Sequence, residues 1–219
     1  MFRRLLPLCL LVFAAASCSS GAEVPTGHEN PERAVVAWFE AIDAGDANAA
    51  SASVHAGSLA VILGIENHLP SDVTAAYLVN GVPVDVQTSY WRSFSTGFSE
   101  FASRPISGLT VGESSLFEAE GYAFARVPIS GGPSADSIVF TRAREDGSWE
   151  VDMVATLADG FSSLFGTAYD DIPSGSDGDT VRAAYVDTIV PAMWAAMADG
   201  SFGDDFNRSA LKVVNQIEE

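Results

Sequence analysis

Val35, Trp38, Phe39 and Ile42 follow i, i+3, i+4, i+7 spacing, the pattern of one buried helical face. Asn30 suits the N-cap of that helix, Pro31 its first position and Glu32 its positive end, and Gly45 stops it. Asp46 caps a second, alanine-rich helix running to about Val54. The apolar run from Leu59 to Ile65 is too short for periodicity to separate helix from strand. Tyr77 to Val84 carries Asn80-Gly81 at its centre and predicts a hairpin, with Pro83 confining the second strand to an edge. Trp91, Phe94, Phe98 and Phe101 then recur every three or four residues behind Thr88, so 89–102 reads as helix.

From residue 105 to 157 the period changes to two. The segments 106–111, 122–129, 137–142 and 148–155 read as successive strands of an antiparallel meander. Gly131-Gly132-Pro133 and Asp146-Gly147 supply turns. Alternation puts Trp149, Val151 and Met153 on one face of the last strand and Glu150 and Asp152 on the other. Helical signals return over 161–169, after Thr180 in a long segment interrupted by Pro191, and over 207–217. A Gly/Ser/Asp loop fills 170–179.

The first residues carry a different message. Arg3 and Arg4 precede about twelve mostly apolar residues, Leu5 to Ala16, and then Ser17 and Cys18. Twelve helical residues reach about 18 Å, short of the ~30 Å hydrocarbon core, so the run reads as a cleaved export signal. Ala14-Ala15-Ala16-Ser17-Cys18 resembles the lipobox of bacterial lipoproteins, although Ala15 stands where that family more often has leucine. The resemblance implies cleavage before Cys18, acylation of Cys18 and attachment to the extracytoplasmic face of a membrane by lipid such as palmitate. Ordinary secretion with cleavage after Ala16 is the alternative. It would leave Cys18 an unpaired thiol in an oxidising compartment. Cys9 is a poor site, being inside the apolar run and after Pro7. The expected organisation is a signal peptide at 1–17, a flexible tether at 18–29, a folded α+β domain at 30–157 and a helical extension at 158–219.

The order of elements resembles the NTF2-like (cystatin-like) α+β family. So does the opening Asn30-Pro31-Glu32-Arg33-Ala34-Val35-Val36-Ala37-Trp38-Phe39, continuing to Gly45-Asp46. That resemblance covers about 30–157. It implies N-terminal helices packed on a curved antiparallel sheet around a conical pocket, with the C-terminal helices as a departure from the family pattern. Trp38, Trp91, Phe94, Tyr122 and Trp149 lie on elements expected to converge there and are the candidate pocket lining for a small apolar ligand. Ordinary core packing is the competing reading.

Composition narrows the function. The chain is 47% hydrophobic, enough for a substantial core, and carries a net charge of −18. Beyond residue 17, nine basic residues face 29 acidic ones, which argues against nucleic acid as a partner. His28 falls in the tether. His55 and His68 have no metal-ligand spacing and read as surface or capping residues. Asp170-Asp171, Asp177-Gly178-Asp179 and Asp204-Asp205 fail the calcium-loop pattern and read as solvated turns. Nucleophile-elbow, phosphate-loop and dinucleotide motifs do not occur, so no cofactor, metal or catalytic residue is expected. The expected role is a non-enzymatic envelope module that binds a ligand or an envelope protein. Two alternatives stand beside it: an NTF2-like isomerase or hydrolase using Asp152 as pocket base, and an assembly subunit docking through its C-terminal helices.

Overall fold

The structure is a computed structural model that describes residues 27–132 and 137–219. The signal-like run, Cys18 and most of the expected tether lie outside the described residues. Helix α1 (Pro31–Ala44) forms as its caps dictate. Asn30 Oδ1 accepts from the Arg33 N–H at 2.9 Å, and Val35, Trp38, Phe39 and Ile42 form its buried face. Asp46 Oδ1 accepts from the Ala49 N–H at 3.0 Å and starts α2 (Ala47–Ala52). The ambiguous apolar run becomes helix α3 (Ser58–Glu66). Its side chains from Leu59 to Leu63 are all buried, which explains why no amphipathic period marked it.

The hairpin expected over 77–84 does not form. Helix α4 (Ser71–Asn80) runs into it, and α5 (Val84–Ala102) starts directly behind Pro83. Gly81 adopts φ +81°, a conformation that ends α4 without a Cβ clash, and Pro83 presets the entry to α5. The residues that suit a hairpin turn serve equally well as a helix stop followed by a helix start.

The antiparallel sheet comprises β1 (Thr110–Val111), β2 (Ser115–Ala119), β3 (Tyr122–Ser130), β4 (Ser137–Ala143) and β5 (Trp149–Val151). β1 and β2 share one edge of the long β3, and β4 and then β5 follow on its other side. The expected strand at 106–111 is mostly a 3-10 turn at Ile106–Gly108, with only its last residues in β1. β2 lacked a clear period because its side chains are largely exposed. It joins β3 through Glu120-Gly121, both at positive φ, as a two-residue hairpin demands. The last expected strand ends early, at Val151, because Asp152 caps helix α6 (Met153–Thr156). Helices α7 (Ala158–Asp170), α8 (Ser176–Asp199) and α9 (Gly203–Glu218) complete the chain, with Pro191 inside α8.

Register decides which side chains share a face. The pairs Ala125↔Thr141, Val127↔Val139 and Thr141↔Val151 lie on one side; Phe124↔Arg142, Arg126↔Phe140 and Arg142↔Glu150 lie on the other. The first side packs on α1. The second receives α8: Arg126 Nε pairs with Asp199 at 2.9 Å, Arg142 Nη1 donates to the Asp187 carbonyl at 3.2 Å, and Phe124 clusters with Ala195. The result is an α+β fold of NTF2-like form, N-terminal helices on a curled antiparallel sheet with the C-terminal helices added. α8 packs against α4, α6 and α9, and its Ile189 and Met193 belong to the same buried cluster as Val35 and Trp38.

The outer edge of β5 is not free. His28 exchanges backbone bonds with Trp149 at 2.9 and 2.7 Å, Val151 N–H donates to Ser53 O, and His55 N–H donates to Val151 O, both at 2.8 Å. His28, assigned above to a flexible tether, therefore belongs to the folded part. Covering an exposed strand edge in this way removes a site for unwanted pairing.

Candidate functional site

The expected aromatic pocket is not what these side chains build. Trp38, Trp91 and Phe94 converge, but on one another, with ring centroids 5.8–6.2 Å apart, and Trp91 Nε1 donates to Ser51 Oγ at 2.8 Å. Trp38 and Trp91 are buried core residues. Tyr122 lies under the Arg142 guanidinium, 3.8 Å from ring centroid to carbon, and Trp149 pairs with His28. Three of the five thus form packing and two sit elsewhere.

Under α8, the second sheet face carries a buried polar cluster. Glu150 accepts from His55 Nδ1 at 2.6 Å and from Arg144 Nη1 at 2.7 Å. His55 Nε2 stands 3.3 Å from Arg142 Nη1. A guanidinium can only donate, so Nε2 is the acceptor and the ring proton sits on Nδ1, donated to Glu150. The arrangement orders Glu150, His55 and Arg142 into a chain. It also occupies both ring nitrogens of His55, leaving neither available to take a proton from a substrate. The face of the last strand that carries Glu150 and Asp152 is buried: Glu150 is 3% exposed and Asp152 0%.

Asp152 works as a helix cap. Its Oδ1 accepts from the Ala155 N–H at 2.9 Å, while Oδ2 is buried without a hydrogen-bond partner among the described residues. Burial pushes its carboxyl above the ordinary 3.8, against the pull of His55, the Ala155 N–H and Arg142. Folding therefore favours the protonated form. Its contribution to stability is complete below the unfolded value and is lost as pH rises through the raised one. Asp152→Asn keeps the capping oxygen and removes the charge. Its melting temperature relative to the parent is expected to climb as pH rises above the ordinary carboxyl value of 3.8. A difference that stays constant as pH rises would contradict this assignment.

A cavity with room for a ligand lies elsewhere. A cleft of about 790 Å³ opens between the α3–α4 corner and the α7–α8 corner. Ile65, Leu69, Ile172, Val181 and Tyr185 supply its apolar wall, and Glu66, Asp72, Asp171 and Asp177 its carboxylates. Two features shape the loop between α7 and α8. A Cβ on Gly178 would stand 1.9 Å from the Pro173 carbonyl oxygen, so only glycine lets the loop fold this closely onto α8. Arg182 then donates to the Ile172 carbonyl and, at 3.3 Å, to that of Pro173. Asp171, Asp177 and Gly178, from two of the acidic turns read above as merely solvated, lie on one bank of this cleft, and His68 lies on the other. His55, Asp152 and the five aromatic candidates are not part of its lining.

Nothing in the periodicity marked the cleft. Its residues come from two helix corners about a hundred positions apart. The one usable signal was punctuation: Asn67-His68-Leu69-Pro70 and Ile172-Pro173-Ser174-Gly175 are the breaks between helix pairs. Among the described residues no group of three or more His, Cys, Asp or Glu side chains is placed to hold a metal ion. No described helix is long and apolar enough to cross a membrane. Compared with known protein families, curated proteins and solved structures, the chain matches none.

Proposed function

We propose that this chain is an extracytoplasmic protein, held at a membrane by lipid on Cys18, that binds a small ligand in the cleft between the α3–α4 and α7–α8 corners. The cleft carries the binding part of this reading. Its volume of about 790 Å³ falls in the range typical of small-molecule sites, and it combines an apolar wall with a few polar groups. The anchoring part rests on Ala14-Ala15-Ala16-Ser17-Cys18 behind a short apolar run. Several acyl chains on one cysteine hold a protein durably where a single chain holds it marginally.

Binding is favoured over catalysis by what the titratable groups are doing. Asp152, the residue an isomerase or hydrolase of this fold would use, is engaged as the cap of α6. His55 has both nitrogens committed. Docking of an assembly partner through the apolar faces of the C-terminal helices is disfavoured too, since Phe206, Ala210, Val213, Val214 and Ile217 of α9 are already buried within the fold.

Two measurements on the full chain test the two parts. Intact-mass analysis of the membrane fraction is expected to show loss of residues 1–17 and added acyl mass on Cys18, with Cys18→Ser moving the protein out of that fraction. An unprocessed, unacylated chain would end the anchoring reading. For the cleft, the neutral fluorophore N-phenyl-1-naphthylamine is expected to bind the parent and to lose at least about tenfold in affinity in Thr167→Trp, the cost of filling part of an apolar site. Thr167 is an exposed helix residue on the cleft wall, so the indole fills space without disturbing the core. Unchanged fluorophore binding in that variant would end the binding reading.

A further inference from the structure

Two of the four carboxylates of the cleft stand at helix ends that disfavour negative charge. Glu66 is the last residue of α3 and Asp171 the C-cap of α7, and no basic residue lies in the last turn of either helix. Helix C-termini carry partial negative charge from their unpaired carbonyls, so an acid there is disfavoured. Asp72 and Asp177, in contrast, occupy the first turns of α4 and α8, where negative charge is welcome. Glu66 and Asp171 thus have no explanation in the helices that carry them, yet they contribute to the two banks of one cleft.

Their surroundings leave them unmatched. Neither forms an ion pair or a side-chain hydrogen bond among the described residues, and the lining contains no Lys or Arg. The nearest guanidinium in sequence, Arg182, is occupied by the Ile172 and Pro173 carbonyls and by Asp179 at 3.6 Å. Both are exposed at the cleft mouth, and partial desolvation there raises the pKa of Glu66. Tyr185 also lines the cleft, and its ring, 5.8 Å from that of Tyr169, brings an aromatic surface to the wall.

We propose that the cleft is built for an organic cation: an amine or ammonium group set against Glu66 and Asp171, on an apolar body lying along Leu69, Ile172, Val181 and Tyr185. This deepens the cleft-binding reading and rests on it. A cation at this position would neutralise both misplaced carboxylates and meet the carbonyl ends of two helices. Among the described residues no three His, Cys, Asp or Glu side chains gather to hold a metal ion, so the separated carboxylates suit an organic cation better. The chain's net charge of −18 draws cations toward the surface and repels anionic analogues.

Three dansyl probes of matched size separate the possibilities on the full-length protein: dansylcadaverine, which is cationic, its neutral N-acetyl derivative, and an anionic dansyl-amino acid. At low ionic strength the cation is expected to bind roughly tenfold more tightly than the neutral probe, with the anion weakest. Raising salt should shrink the gap between charged probes while leaving the neutral one unaffected. The double variant Glu66→Gln/Asp171→Asn should bring the cation down to the affinity of the neutral probe without changing the latter. Asp159→Asn/Asp204→Asn makes the same charge change outside the cleft lining and should preserve most of the preference. Equal binding of all three probes, or equal weakening of cation and neutral probe in the Glu66/Asp171 variant, overturns the inference and leaves the cleft reading intact. Binding of none overturns both.

Discussion

Glu150→Ala is expected to be among the most damaging single changes in this protein, lowering stability by about 3–5 kcal/mol. The side chain sits beneath α8, 3% exposed, and accepts from both His55 and Arg144. Alanine removes the carboxylate that bridges His55 and Arg144 and leaves the His55 Nδ1 donor without that acceptor. The cost is that of breaking a buried polar cluster and leaving a donor unsatisfied, which exceeds the loss of the hydrogen bonds themselves. In a chain of this size it corresponds to a drop in melting temperature on the order of 10 °C, measurable by circular dichroism. Glu150→Gln separates charge from shape, since it retains an acceptor for His55 while removing the negative charge. It should fall between parent and alanine. If Glu150→Ala melts within about 2 °C of the parent, the cluster carries no structural weight.

Trp91→Ala is the second large effect, at about 3–5 kcal/mol. Trp91 is the one buried residue of the 19-residue α5, and its ring meets Trp38 edge-on at 6.2 Å and Phe94 at 5.9 Å. Truncation would open a cavity in this aromatic cluster and orphan Ser51 Oγ. Because α5 contributes no other buried side chain, its docking on α1 and α2 should loosen first. Amide exchange is therefore expected to accelerate across 84–102 before the rest of the protein. Trp91→Phe keeps most of the ring area and should cost less than half as much. Uniform exchange throughout the chain in Trp91→Ala would show that α5 is held by something other than this residue.

These two residues also show how much could be read in advance. The helical faces at Val35–Ile42 and Trp91–Phe101 were legible because their apolar spacing matches 3.6 residues per turn, and α1 and α5 occupy about those positions. The meander was legible from period-two alternation, as β3 and β4 show. Asn80-Gly81 misled because chain punctuation specifies a break and not what lies on either side of it. The burial of Glu150 and Asp152 was not legible, because alternation identifies two faces but cannot say whether the second is covered.

The sequence by itself determined helix α1 with its Asn30 cap, the Asp46 cap of α2, the strands β3 and β4, the α+β class and the acidic balance of −18. Each depends on neighbours within a few positions or on composition alone. Only the tertiary structure decided that α8 packs on the second face of the sheet, that Trp38, Trp91 and Phe94 pack on one another, and that the cleft lies at two helix corners. Those outcomes depend on which distant surfaces exclude water from each other. That is a property of packed pairs, and no single segment carries it.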